Sequence, residues 1–330
     1  MKNESTNVSI SVNDDYNHQR NKGTPLDLDW VMSSQANTSA VERRAATLVA
    51  RRSVKKIYQA AWLLRAISCI DLTTLAGDDT VGRVQRLCDK AANPVCKSIL
   101  ENLGVLKVNV GAVCVYHDMI ETALNRLDGT GIPVAAVSTG FPAGLSPMRL
   151  RIAEIEDSVQ AGANEIDVVI SRRNVLTQNW AALYDEICSF RQACGDAHMK
   201  TILATGELGS FRNISRASLV CMMAGADFIK TSTGKESINA TLPVSLVMVR
   251  AIRDYYDQTG YKVGYKPAGG ISKAKDSLTY LSLVKEELGN DWLNSELFRF
   301  GASSLLGDIE RQLEHFVTGA YSATHRHPLA

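Results

Sequence analysis

The sequence predicts an α/β fold, a (β/α)8 barrel in a single domain with an N-terminal extension. Three observations lead there. Eight short apolar segments, at 66–70, 112–115, 134–138, 165–170, 200–203, 228–230, 262–266 and 298–300, alternate with amphipathic stretches of helical period. The last three segments each run into a glycine-bearing turn and then a helix; loops after strands 7 and 8 are the usual phosphate locus of such barrels. The rival doubly wound sheet advertises a GxGxxG turn after its first strand, and none occurs here.

Residues 1–25 are rich in Asn, Ser, Asp and Lys with few large apolar residues, a composition that predicts disorder. Residues 26–60 read as helical preamble packing on the barrel: Leu26, Leu28, Trp30 and Val31 lead, then Ala46, Val49, Val54 and Ile57 follow at roughly helical spacing. The barrel is assigned to 61–319 and a mobile tail to 320–330. Among the helix signals, Pro243 falls in a first turn after Thr241, and Ser272 is placed to cap a helix over 273–288. One short stretch repeats. Ala161-Gly162-Ala163-Asn164-Glu165-Ile166-Asp167 and Ala224-Gly225-Ala226-Asp227-Phe228-Ile229-Lys230 each pass from a helix end through a turn into a strand, with an ionisable residue seventh. If they are the same element two units apart, Asp167 and Lys230 sit at one level on alternate strands, which share a layer in such barrels.

Composition narrows the function. The 36 basic and 35 acidic side chains are well mixed and leave a formal net charge of +1, which argues against nucleic acid or an anionic membrane as partner. No apolar stretch approaches the roughly 20 residues of a membrane helix, and the N-terminus lacks a signal-peptide core. The seven cysteines have no CxxC spacing and read as reduced thiols of a cytoplasmic protein. The six histidines lie mostly in the tail, on helices or in loops, so neither metal nor other cofactor is expected. An association of like chains, a homo-oligomer, is compatible with the sequence, which does not specify it.

The chemistry is carried by ionisable residues at strand ends. Lys230 closes the run Phe228-Ile229 and opens a Thr/Ser/Gly/Lys turn suited to an anion; Lys266 repeats the pattern before Pro267-Ala268-Gly269-Gly270. A solvated surface lysine is the plain alternative for each, and phosphate binding a further one for Lys266. An amine attacks a carbonyl only when unprotonated, so a Schiff-base lysine needs its pKa brought from about 10.4 towards about 7–8 by burial or a neighbouring cation. Spacing does not say which of the two is the nucleophile. Asp167, inside Glu165-Ile166-Asp167-Val168-Val169-Ile170, needs a partner for its charge; an ion pair and general acid/base work both provide one. Asp71 closes the first segment and is also read as a simple turn cap. Gly234-Lys235, Gly269-Gly270 and Gly301-Ala302-Ser303-Ser304 form three turns whose free amides, at helix starts, suit a phosphate. The inferred partner is a small phosphorylated substrate.

These motifs resemble the 2-deoxyribose-5-phosphate aldolase family, its eukaryotic branch in particular, from about Arg51 to about Gly319. The resemblance is carried by Ile70-Asp71-Leu72-Thr73-Thr74-Leu75, Val113-Cys114-Val115-Tyr116, Phe141-Pro142-Ala143-Gly144, Glu165-Ile166-Asp167-Val168-Val169 and Thr205-Gly206-Glu207-Leu208. It continues through the stretches 227–235, 266–270 and 300–304. It implies a class I aldolase that reversibly cleaves 2-deoxy-D-ribose 5-phosphate to D-glyceraldehyde 3-phosphate and acetaldehyde, in deoxyribose phosphate catabolism. It implies Lys230 as the Schiff-base lysine, Lys266 as the lysine that lowers its pKa, and Asp167 as the proton-relay carboxylate. Cys114 and Asp71 match supporting neighbours; Thr233, Gly234, Gly269, Gly270, Ser303 and Ser304 match substrate- and phosphate-contacting turns. Two departures stand out. Many bacterial members carry an arginine two residues after the Gly-Gly pair, where this chain has Ser272 and then Lys273, so a differently placed lysine is expected to help hold the phosphate. The same members end in a tyrosine, whereas here Tyr321 lies nine residues before the last residue, Ala330. Another class I phosphosugar aldolase, a transaldolase, or a non-catalytic phosphosugar-binding barrel are the alternative readings.

Overall fold

The computed structural model describes residues 20–51 and 54–327. Its eight strands are β1 (Ile70–Thr73), β2 (Ala112–Tyr116), β3 (Val134–Ser138), β4 (Glu165–Val169), β5 (His198–Ile202), β6 (Phe228–Lys230), β7 (Gly264–Lys266) and β8 (Phe300–Ala302). All ladders are parallel, in the order β7-β6-β5-β4-β3-β2-β1-β8, and single bridges Tyr265–Phe298 and Ala268–Gly301 join the ends. The result is the predicted barrel. Strands such as β3 and β4 are buried along their whole length, because helices cover one face and the barrel interior the other. A parallel strand so enclosed reads as an unbroken apolar run.

The first strand departs from expectation. Residues 66–68 finish the helix Lys56–Ser68, whose buried side carries Leu63, Leu64 and Ile67, and β1 begins only at Ile70. A short apolar run serves a helix face and a strand equally well. The last strand likewise starts at Phe300, with Phe298 contributing its single bridge to Tyr265. Thr241 caps the helix Leu242–Thr259 as expected, accepting from the Val244 amide. Ser272 does not cap the helix Ala274–Leu288. The amide of Ala274 donates instead to Asp308 Oδ2 at 2.7 Å, from a helix 34 residues on.

The repeated stretch forms one structural device twice. Asn164 Oδ1 accepts from the Val134 amide and Asp227 Oδ2 from the Met199 amide, both at 2.9 Å, so each strand is stitched to the one before it at the same height. Gly162 and Gly225 turn just ahead with φ of 98° and 93°, which side chains rarely adopt. Asp167 and Lys230 consequently stand level on β4 and β6.

Among the described residues three helices precede the barrel, Leu28–Ser33, Thr38–Arg51 and Lys56–Ser68, and the second packs on the helices Leu242–Thr259 and Ala274–Leu288. Residues 20–25, within the stretch expected to lack order, are instead pinned to the barrel's N-terminal end; residues 1–19 lie outside the described residues. Asn21 Nδ2 donates to the carbonyls of Met222 and Ala226 at 2.8 Å, and Arg20 pairs with Asp227 at 2.8 Å. Among the described residues no helix is long and apolar enough to cross a membrane.

Candidate active site

Side chains on a barrel strand alternate between interior and exterior. Seven ionisable ones meet inside: Asp71 on β1, Glu165 and Asp167 on β4, Lys200 on β5, Lys230 on β6, Lys266 on β7, and Arg299 just before β8. Lys230 Nζ and Lys266 Nζ both donate to Asp167 Oδ2 at 2.7 Å. Lys266 also lies 2.5 Å from Asp71 Oδ2. Below them, Lys200 bonds Glu165 and lies 3.2 Å from Asp167 Oδ1, while Arg299 bonds Asp71 at 2.6 Å and Glu165 at 2.9 Å. The four residues singled out from sequence on these strands thus form one cluster. Glu165, Lys200 and Arg299 were missed, although the signal was there: each is a charge set in an apolar run, the property that drew attention to Asp167.

The surroundings push the amines apart. Burial lowers the pKa of Lys230, and the Lys266 charge adds to that, against the pull of Asp167. Burial acts on Lys266 in the same sense, but Asp167 and Asp71 outweigh it and hold that ammonium well above the usual lysine value. Burial raises Asp167 and Asp71 too, yet the surrounding lysines, with Arg299 beside Asp71, hold both well below the usual carboxylate range. Cys114, fully buried on β2, has its thiol pushed up by burial and so stays a neutral thiol. It packs with Ala135 and Val137 into an apolar wall completed by Leu75, Tyr116 and Phe141.

A cavity of about 290 Å³ opens at the C-terminal ends of β1, β6, β7 and β8. Lys230 is at its floor, 3% exposed; Lys266, at 0%, lies beneath and does not line it. Its walls include Thr233, Gly234, Lys235, Gly269, Gly270, Gly301, Ser303 and Ser304, every residue predicted for phosphate, together with Thr73 and Ser272, which were not. Gly269 and Gly270 have φ of 80° and 81°, and a Cβ on Gly269 would stand 2.6 Å from the Asn239 side chain. The helix Ser304–Thr318 starts at this rim.

The three turns are not equivalent. At the first, Glu236 already accepts from the amides of Thr233 at 3.0 Å and Gly234 at 3.1 Å, and from the Thr233 hydroxyl at 2.8 Å. That turn therefore offers the cavity the Lys235 ammonium, which rests 3.1 Å from the Leu75 carbonyl. Lys273 lines a separate groove with Asp276 and Asp308, whereas Lys235 lines the same cavity as the Gly-Gly pair. Tyr321 follows the far end of the helix Ser304–Thr318, about 22 Å of helix away from the rim. There it stacks on His315 at 3.9 Å.

Comparison with known proteins agrees with this fold. The family described as DeoC/LacD family aldolase matches residues 65–308. The chain belongs to that family. Among curated proteins it is similar to the deoxyribose-phosphate aldolases of Mus musculus, 59% identical over 94% of this chain and 98% of that one. The Homo sapiens protein of the same name is 58% identical over 94% and 99%. Among solved structures, a deoxyribose phosphate aldolase from Aeropyrum pernix shares the fold at a TM-score of 0.59 and 20% identity, covering 82% of this chain and all (100%) of its own. Within this DeoC/LacD aldolase the matched span runs from the helix before β1 into the helix after β8, so it contains all seven interior ions.

Proposed function

We propose that the chain is a class I aldolase cleaving 2-deoxy-D-ribose 5-phosphate reversibly to D-glyceraldehyde 3-phosphate and acetaldehyde. Relatives 58–59% identical over nearly the whole chain carry that name. The observation that carries the mechanism is the position of Lys230. Among the described residues it is the interior amine that reaches the cavity floor, and burial favours its neutral form.

The cavity wall orients the sugar. Backbone amides at Gly270, Ser303 and Ser304, with the Lys235 ammonium, take the phosphate at the rim, and C1 then points down towards Lys230. The neutral amine adds to the C1 aldehyde and loses water, giving a protonated imine. Removal of the C3 hydroxyl proton breaks the C2–C3 bond; its electron pair flows into the imine and D-glyceraldehyde 3-phosphate leaves. The remaining enamine takes a proton at its terminal carbon, and hydrolysis frees acetaldehyde and Lys230. Asp167 and Lys266, joined 2.7 Å from each other beside the Lys230 nitrogen, are the pair that exchanges these protons. Cys114, Ala135 and Val137 form an apolar cluster that carries no competing base, with Leu75 packed against it and lining the cavity. A cytoplasmic setting and deoxyribose phosphate catabolism go with this reading.

Borohydride reduction of the protein mixed with acetaldehyde, followed by peptide mass mapping, tests it. A two-carbon adduct confined to Lys230 is expected; an adduct on Lys266 exchanges the two roles, and none at all removes the imine. A second test addresses the phosphate. Lys235→Met is expected to raise KM for the phosphorylated sugar by about 10-fold, the size of one charge-assisted hydrogen bond, and to leave KM for free deoxyribose unchanged. Equal effects on both sugars would move the phosphate away from Lys235.

A further inference from the structure

We propose that Arg299 and Glu165 are positioning residues that set the charge count of the barrel interior, against which Lys230 holds or loses its proton. The proposal rests on the imine reading above and adds residues to it. Among the described residues, neither lines the cavity and neither bonds Lys230.

Among the described residues the interior holds three carboxylates, Asp71, Glu165 and Asp167, and four cationic side chains, Lys200, Lys230, Lys266 and Arg299, each no more than 4% exposed. Fully ionised, the cations outnumber the carboxylates by one. An uncompensated buried charge is expensive, so the set is balanced when a single amine is neutral. Arg299 does not deprotonate in a protein. Lys200 is held by Glu165 and by Asp167 at 3.2 Å, and Lys266 by Asp71 at 2.5 Å and Asp167 at 2.7 Å. Lys230 has one carboxylate oxygen, Asp167 Oδ2, and shares it with Lys266. It is the cation with the least compensation, and so the one that gives up its proton.

The other groups facing the cluster do not alter the count. Cys114 on β2 is kept a thiol by burial, β3 presents Ala135 and Val137, and His198 at the start of β5, beside Glu165, is pushed towards its neutral form by burial. Arg299, linked to Lys230 through Asp71, Lys266 and Asp167, therefore supplies the third permanent positive charge, and Glu165 the third negative one. Remove Arg299's charge and the interior is short of one positive; Lys230 restores it by keeping its proton to higher pH. Remove Glu165's charge and the interior has one positive too many; Lys230 loses its proton at lower pH. A scaffold that merely loosened would not move the midpoint in opposite directions.

The experiment is a competitive labelling titration of Lys230 with acetic anhydride from pH 5 to pH 11, read by peptide mass mapping in the full chain. It reads the amine's proton without requiring an imine. Failure of wild-type protein to form the acetaldehyde adduct would count against the imine alone, while the titration still decides the charge count. Arg299→Gln is expected to raise the Lys230 midpoint by at least about one pH unit and Glu165→Gln to lower it by a similar amount. The double variant should return it to the wild-type value. Arg299→Lys, which keeps the charge without the planar fork, should titrate as wild type; if Arg299→Gln does not fold, the downward shift in Glu165→Gln decides. Midpoints that stay put, or move the same way in both single variants, overturn the proposal.

Discussion

Lys230→Ala is expected to lower turnover by at least about 10⁴-fold, the scale on which removal of a covalent nucleophile acts, and to leave the fold intact. A deleted buried lysine commonly strands its carboxylate. Here Asp167 keeps Lys266 at 2.7 Å and Lys200 at 3.2 Å, and the three carboxylates face three remaining cations. The thermal unfolding midpoint should therefore stay within a few degrees of wild type, while release of D-glyceraldehyde 3-phosphate, followed through a coupled dehydrogenase, falls to background. Substantial turnover in the alanine variant would transfer the nucleophile's role to another residue. Unfolding of the variant would mean that Lys230 is needed for packing as well as chemistry.

Lys266→Leu is expected to fail differently, in both stability and rate. The folded-state pKa of Lys266 is raised, so its stabilising contribution is fully present below the ordinary lysine value near about 10.4 and is lost only as pH rises through the higher folded value. At neutral pH the substitution thus removes that contribution in full. It takes the close cation from Asp71 Oδ2, and breaking a buried pair in this way costs about 3–5 kcal/mol. The rate falls because Asp167 is left with Lys230 as the ammonium bound to its Oδ2. Lys230 then keeps its proton to higher pH, and the neutral amine becomes scarce at pH 7. Turnover at neutral pH should drop by about 10²–10⁴-fold, and the acid limb of the kcat/KM profile should move upward, so that part of the loss is regained in alkali. A variant with reduced stability but an unmoved limb would show that Lys266 holds the barrel together without tuning its neighbour.

Much of this site was legible in the sequence, for a specific reason. A charge inside a run that must be buried has to be compensated, and Asp167, Lys230 and Lys266 stand out by that rule alone. Applied only near the C-terminal ends of strands, the rule passed over Lys200 and Arg299, which sit lower in the same interior, and over Glu165 two residues before Asp167. The strand boundary at 66–70 was misplaced because Ala66 and Ile67 suit the inner face of a helix as well as a strand. The cap on Ala274 was out of reach: Asp308 is brought to it by packing between two helices, and nothing local announces it. The seat taken by Glu236 was within reach, since Thr233-x-x-Glu236 is the spacing at which a carboxylate turns back onto a threonine amide.

That carboxylate has a consequence for how the empty cavity behaves. A glycine-bearing loop whose amides waited for phosphate would be loosely ordered without ligand and would charge part of every binding event to its own folding. Here the 233–236 turn is already closed on an anion of its own. The rim therefore keeps its shape between turnovers, less conformational entropy is surrendered when the sugar arrives, and release of the triose product does not require the loop to come apart.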